Sequence, residues 1–126
     1  MKTKLLLLLI WIFSMSCFQN GFKNVDVETF ETLCTRDNVV IVDVRTPEEF
    51  STGHIANAVN IDFKNPDFKS EFLKTVNKDK IVALYCRSGR RSSGAASIIS
   101  EEGYKEIYNL QGGILSWQQQ NKPIEK

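Results

Sequence analysis

Two short apolar runs limit what this chain can become more than any other feature. NVVIVDVR at 38–45 and KIVALYC at 80–86 are rich in β-branched residues and almost free of polar alternation. A strand with one face in water alternates apolar and polar residues, whereas a strand covered on both faces does not. Both runs therefore read as interior strands of a parallel sheet. Between them, PDFKSEFLKTV at 66–76 opens on Pro66 and Asp67 and places Phe68, Phe72 and Val76 on one face, the pattern of a helix. SSGAASIISEEGY at 92–104 reads as a helix of small residues with Gly103 as its C-cap. EIYNL at 106–110 is a third strand, Gly112 and Gly113 form a turn, and ILSWQQQ at 114–120 is a closing helix. Strands separated by helices of this length predict an α/β fold with a mostly parallel sheet, helices on both faces and right-handed crossovers. At 126 residues, with no internal repeat or interdomain linker, the chain has material for one core.

The first residues stand apart from that domain. MKTKLLLLLIWIFSMSC has a basic start at Lys2 and Lys4, an apolar stretch from Leu5 to Phe13, and small residues before Cys17. This is the layout of a secretory signal peptide, and the stretch is shorter than the roughly 20 residues a bilayer span needs. It also resembles a bacterial lipobox, with Ser14 where Leu is usual and Met15 where a small residue is. Cleavage before Cys17 is expected on either reading, and a lipid on Cys17 would anchor the protein to a membrane. The expected organisation is a signal peptide at 1–16, a short tether at 17–24, the folded domain at 25–121 and a tail at 122–126. Export to the periplasm or cell envelope follows from it.

Cleavage removes Lys2 and Lys4 and takes the formal net charge from +1 to −1. With no basic face interleaved with aromatics, nucleic-acid binding has no support. The remaining positive character is local. Three of the five arginines, Arg87, Arg90 and Arg91, lie within five residues of Cys86 in CRSGRR. Cys34 and Cys86 are too few for a disulfide framework, although a bridge between them is one option in an oxidising compartment. Cys34 shares helical spacing with Val27 and Phe30 in VETFETLC and reads as a small buried residue. His54 is the only histidine and reads as bonding its own turn in TGHIANAVNI; no metal or cofactor is expected.

Cys86 falls where a buried strand ends and a helix begins, the edge at which α/β sheets bind ligands. Gly89 permits backbone angles that turn successive N–H groups inward, and such a nest, backed by a helix N-terminus, stabilises an anion. The Cys86 sulfur is placed to be that anion, since the thiolate is the reactive form of cysteine. Cationic side chains at a helix N-terminus oppose the macrodipole, so three arginines there imply an anionic partner. Arg87 and Arg90 are the candidates for binding it, with Ser88 and Gly89 lining the loop. Arg91 closes the loop as a third binding candidate, with pairing to a carboxylate, either Asp43 or Glu48, as its alternative role. Asp43 and Arg45 are expected to brace the loop, and Gly112, Gly113 and Trp117 to serve turn and packing.

From about Val25 to Gln120 the chain resembles a single-domain rhodanese. The resemblance is carried by VIVDVRTPEEFSTGHIANAVNI, CRSGRR and NLQGGILSW, in that order. It implies a five-stranded parallel sheet flanked by helices and a monomeric sulfurtransferase whose nucleophile is Cys86. The cysteine would take the outer sulfur of thiosulfate or a related donor as a persulfide and pass it to a thiol or cyanide, a two-step covalent mechanism. The rival from another class is a rhodanese-like sulfur-binding or protein-interaction module without turnover. A phosphatase fits less well: related phosphatase loops place five residues between Cys and Arg, and here four separate Cys86 from Arg91.

Overall fold

The computed structural model describes residues 21–126, so the expected signal peptide and Cys17 lie outside the described residues. The two apolar runs form β2 (Val39–Asp43) and β4 (Ile81–Tyr85), which pair in parallel from Val39 beside Ile81 to Asp43 beside Tyr85. β5 (Ile107–Leu110) joins the other side of β4, and β3 (Val59–Asn60) extends β2. A three-residue β1 (Lys23–Val25) completes the sheet against β5, in the order β1-β5-β4-β2-β3 with every pairing parallel. The last two residues of the expected tether thus belong to the sheet. β1 is a short, largely exposed edge strand and carries no apolar pattern by which it could be recognised.

Successive strand residues point to opposite faces, and each face has its own pair of helices. Val42, Val82 and Leu84 pack against Phe68 and Phe72 of α3 (Phe68–Thr75) and Ala95 and Ile99 of α4 (Arg90–Ser100). Ile41, Ala83 and Tyr85 pack against Phe30 of α1 (Val27–Cys34) and Ile114 and Trp117 of α5 (Gly113–Gln119). A phenylalanine as fully buried as Phe30 or Phe72 contributes about 1.5–3 kcal/mol. A short α2 (Pro47–Thr52) follows β2, started by a Thr46–Glu49 capping box. None of the described helices is long and apolar enough to cross a membrane.

Two helices differ by two or more residues from their sequence-predicted bounds. Residues 65–67 make a turn, in which Asn65 accepts from Asp67 through its side chain and from Phe68 through its carbonyl, so α3 starts at Phe68 rather than Pro66. α4 starts two residues early, at Arg90, because Gly89 takes the cap position in the left-handed region. It also ends early. The N–H groups of Glu101 and Glu102 bond the carbonyls of Ile98 and Ile99 three residues back, which tightens the last turn and leaves Gly103 beyond the cap, in the turn that follows.

Candidate active site

Because all five strands are parallel, their carboxyl ends share one edge, and Cys86 is the first residue beyond the middle strand. Its side chain is buried. Gly89 adopts φ 105° and ψ −10°, a conformation nearly closed to other residues, and its N–H donates to Cys86 Sγ at 3.0 Å. Ser92, in the first turn of α4, donates its hydroxyl to the same sulfur at 3.3 Å. The sulfur therefore sits at the start of a helix with two donors aimed at it, an arrangement that favours negative charge.

α5 seats the other side of the loop. The N–H of Ile114 donates to the Cys86 carbonyl at 2.9 Å, and that of Leu115 to the Arg87 carbonyl at 3.2 Å. A Cβ at Gly113, whose φ is 62°, would lie 2.6 Å from the Cys86 carbonyl oxygen. Gly113, which reads as part of a turn, is also what lets this helix approach the loop. Asn109, near the end of β5, donates to Ser93 Oγ and Asn24 Oδ1, each at 3.0 Å, and to the Gly89 carbonyl at 3.4 Å. It thereby ties the cap of α4 to β1. Nothing in its local sequence distinguishes it from any strand residue.

The arginines divide. Arg91 makes a two-pronged ion pair with Glu49, Nη1 to Oε1 at 2.8 Å and Nη2 to Oε2 at 2.9 Å. This corrects both expected partners, since Asp43 is engaged elsewhere and Glu48 is exposed on the preceding position of α2. Arg91, helped by the capping bonds from Thr46, holds the Glu49 carboxyl well below its usual range, at about 2. Arg87 and Arg90 are exposed, and among the described residues neither side chain is paired. Two guanidinium groups one and four positions after the buried sulfur in sequence thus have no partner among the described residues.

Asp43 and Arg45 form a buried pair, but the brace they make differs from the expected one. Arg45 Nη2 donates to Asp43 Oδ2 at 2.7 Å and to the Gly53 carbonyl at 2.7 Å. The pair packs near Tyr85, with the guanidinium carbon 5.8 Å from the ring centre, and Tyr85 Oη accepts from the Ile55 N–H at 3.0 Å. It therefore secures residues 53–55 and makes no hydrogen bond to residues 86–91. The reason is register: Asp43 lies beside Tyr85, on the face opposite to that of Cys86. Burial, reinforced by Asp43, pushes the Tyr85 phenol far up. It stays a neutral donor and acceptor.

His54 bonds its own turn as expected, Nδ1 to the Phe50 carbonyl at 3.1 Å, and stacks on the Phe50 ring. Its backbone also pairs with Glu125, so part of the expected tail is fixed to the domain. Trp117 Nε1 holds the Pro123 carbonyl at 2.8 Å in the same region. Cys34 and Cys86 are both free thiols, packed on opposite faces of the sheet. Burial, with a contribution from Glu31, pushes the Cys34 thiol up to about 11.

A parallel sheet with a cysteine loop at the end of its middle strand defines a class that comparison makes specific: residues 26–120 match the rhodanese-like domain, and the chain belongs to that family. It is 34% identical over 101 residues to a sulfurtransferase of Allochromatium vinosum, spanning 79% of this chain and 92% of that one. It is 29% identical to the thiosulfate sulfurtransferase GlpE of Vibrio cholerae, over 82% of this chain and 95% of the other. The family varies in what it serves. A tRNA uridine(34) hydroxylase of Acinetobacter baumannii is 34% identical over 106 residues, which cover 80% of this chain and only 33% of that protein. Among solved structures, a rhodanese-related protein from Thermoplasma volcanium superposes with a TM-score of 0.72 at 27% identity, covering 82% of this chain and 98% of its own.

Proposed function

We propose that this protein is a sulfurtransferase that moves a sulfane sulfur from thiosulfate, or a donor like it, to a thiol or cyanide through a persulfide on Cys86. The observation that carries the reading is the sulfur itself: buried and held by the Gly89 N–H at a helix N-terminus, in a loop whose Arg87 and Arg90 are exposed and unpaired among the described residues. The Cys86 thiolate attacks the outer sulfur of the donor and sulfite leaves with the electron pair. Arg87 and Arg90 bind the sulfonate oxygens, since guanidinium forks suit oxyanions. Arg91 is committed to Glu49 and keeps the loop in shape. The acceptor then attacks the terminal sulfur and restores the thiolate, giving ping-pong kinetics. The loop also argues against phosphoryl transfer, because four residues rather than five separate Cys86 from Arg91. In this reading the domain acts as a monomer at the cell envelope, exported by its N-terminal segment and anchored through lipid on Cys17.

The test is intact mass of the purified protein before and after thiosulfate. A gain of about 32 Da, absent in Cys86→Ser and matched by released sulfite, supports transfer through this thiol. Replacing Arg87 and Arg90 together by Ala should raise the thiosulfate concentration needed for loading and spare loading from an uncharged sulfane donor. An absent mass gain in pre-reduced wild type removes thiosulfate as donor and favours the binding-module alternative.

A further inference from the structure

We propose that the Ser92 hydroxyl is a catalytic group whose work lies in discharging the persulfide rather than in forming it; the proposal rests on the sulfurtransferase reading above. Ser92 is fully buried, and its hydroxyl donates to Cys86 Sγ at 3.3 Å. Serines inside helices commonly return this proton to the carbonyl four residues back. Ser92 makes no such bond among the described residues, and the sulfur is its acceptor. A buried hydroxyl has to be partnered, and alanine would serve packing alone, so the oxygen is an addition explained by the sulfur.

The two half-reactions ask opposite things of a donor aimed at Sγ. In loading, Sγ uses its electron pair to bond the outer sulfur of thiosulfate, the S–S bond of thiosulfate breaks, and its electrons leave on sulfite. Negative charge passes from Sγ to the departing sulfite, while the outer sulfur keeps the charge it carried in thiosulfate. A hydrogen bond to Sγ is strongest before this step and weaker after it, so it does nothing to speed loading. In discharge, an acceptor anion, thiolate or cyanide, attacks the terminal sulfur, the Sγ–S bond breaks, and its electron pair returns to Sγ. Charge now grows on the atom that Ser92 and the Gly89 N–H both face. A fixed donor at the site of developing charge lowers that barrier.

The experiment separates the halves. Wild type, Ser92→Ala and Ser92→Thr are loaded with thiosulfate under rapid quench, with sulfite release as the readout. Each is then desalted and discharged with cyanide, with loss of the added sulfur followed by mass. Alanine is smaller than serine and a better helix former, so the fold is kept. Ser92→Ala should discharge about tenfold more slowly, less than the 10²–10³ of an oxyanion-hole donor because sulfur is the weaker acceptor, while loading is unchanged or a few-fold faster. Ser92→Thr, which restores a hydroxyl, should recover much of the discharge rate. A merely structural role would slow both halves together, and that result, or an unchanged discharge rate in Ser92→Ala, overturns the proposal. A wild type that takes no sulfur from thiosulfate overturns the sulfurtransferase reading along with it, which the loading step reports separately.

Discussion

Neutralising Glu49 should loosen the active-site loop by an amount that depends on pH in a defined direction. Glu49→Gln is the suitable change, because the amide keeps an oxygen to accept from Thr46 in the capping box while losing the charge that holds Arg91. Moving a carboxyl from 4.5 to about 2 corresponds to roughly 3.4 kcal/mol if nothing screened it. The side chains of Arg91 and Glu49 are 22% and 31% exposed, so solvent takes a share. Two charge-assisted bonds in fork geometry then leave about 1–2 kcal/mol. Because the folded carboxyl is held below its unfolded value, this contribution is complete above about pH 5 and is lost as pH falls toward about 2. Urea denaturation of wild type and Glu49→Gln, at intervals from pH 7 down to pH 3, is the assay. The stability gap should be about 1–2 kcal/mol at neutral pH and narrow steadily below pH 5. A gap that is absent at pH 7, or constant across the series, would refute the reasoning.

Gly113→Ala forces a side chain onto a left-handed residue and against the Cys86 carbonyl; it should cost about 2 kcal/mol or more in urea melts and abolish thiosulfate loading. Asp43→Ala leaves the Arg45 guanidinium buried without its counter-charge and should destabilise by about 3–5 kcal/mol, whereas the double change with Arg45→Met should recover a good part. Thermal melts of the two variants decide it, and a loss under about 1 kcal/mol in the single variant counts against a buried charge. In a Cys86→Ser background, alkylation of Cys34 should be slow at pH 8 and rise about tenfold per pH step toward the range near 11 where the thiol ionises. A rate that levels off below pH 9 would mean the thiol is less buried than it stands here.

What the sequence disclosed and what it withheld follow one physical line. β2 and β4 were legible because strands covered on both faces need unbroken apolar runs, and Cys86 was legible because clustered arginines at a helix start are unfavourable alone. The Glu49 partner was not, since the pair joins residues 42 positions apart and depends on how α2 is turned against α4. Neighbouring carboxylates at 43, 48 and 49 look alike until that rotation is known. The misplaced brace has a similar origin: Asp43 lies close to Cys86 along the sheet, yet strand alternation sends its side chain to the other layer. Ser92 and Asn109 act through single contacts made in three dimensions, and a lone serine in a helix carries no local mark of its acceptor.

The bonds from α5 to the loop also set the loop's polarity. A peptide unit is planar and trans, so its C=O and N–H point in opposite directions. The carbonyls of Cys86 and Arg87 are both turned toward α5 by the N–H groups of Ile114 and Leu115. The N–H groups on those same two peptide planes, belonging to Arg87 and Ser88, are thereby directed away from α5, on the side left open for an incoming anion. Were the same loop released from α5, its planes would be free to rotate and present carbonyl oxygens to the sulfur instead, repelling the charge the site is built to hold. The closing helix in this sense sets which way the loop's peptide planes face, and Gly113 is the residue that lets it come close enough to do so.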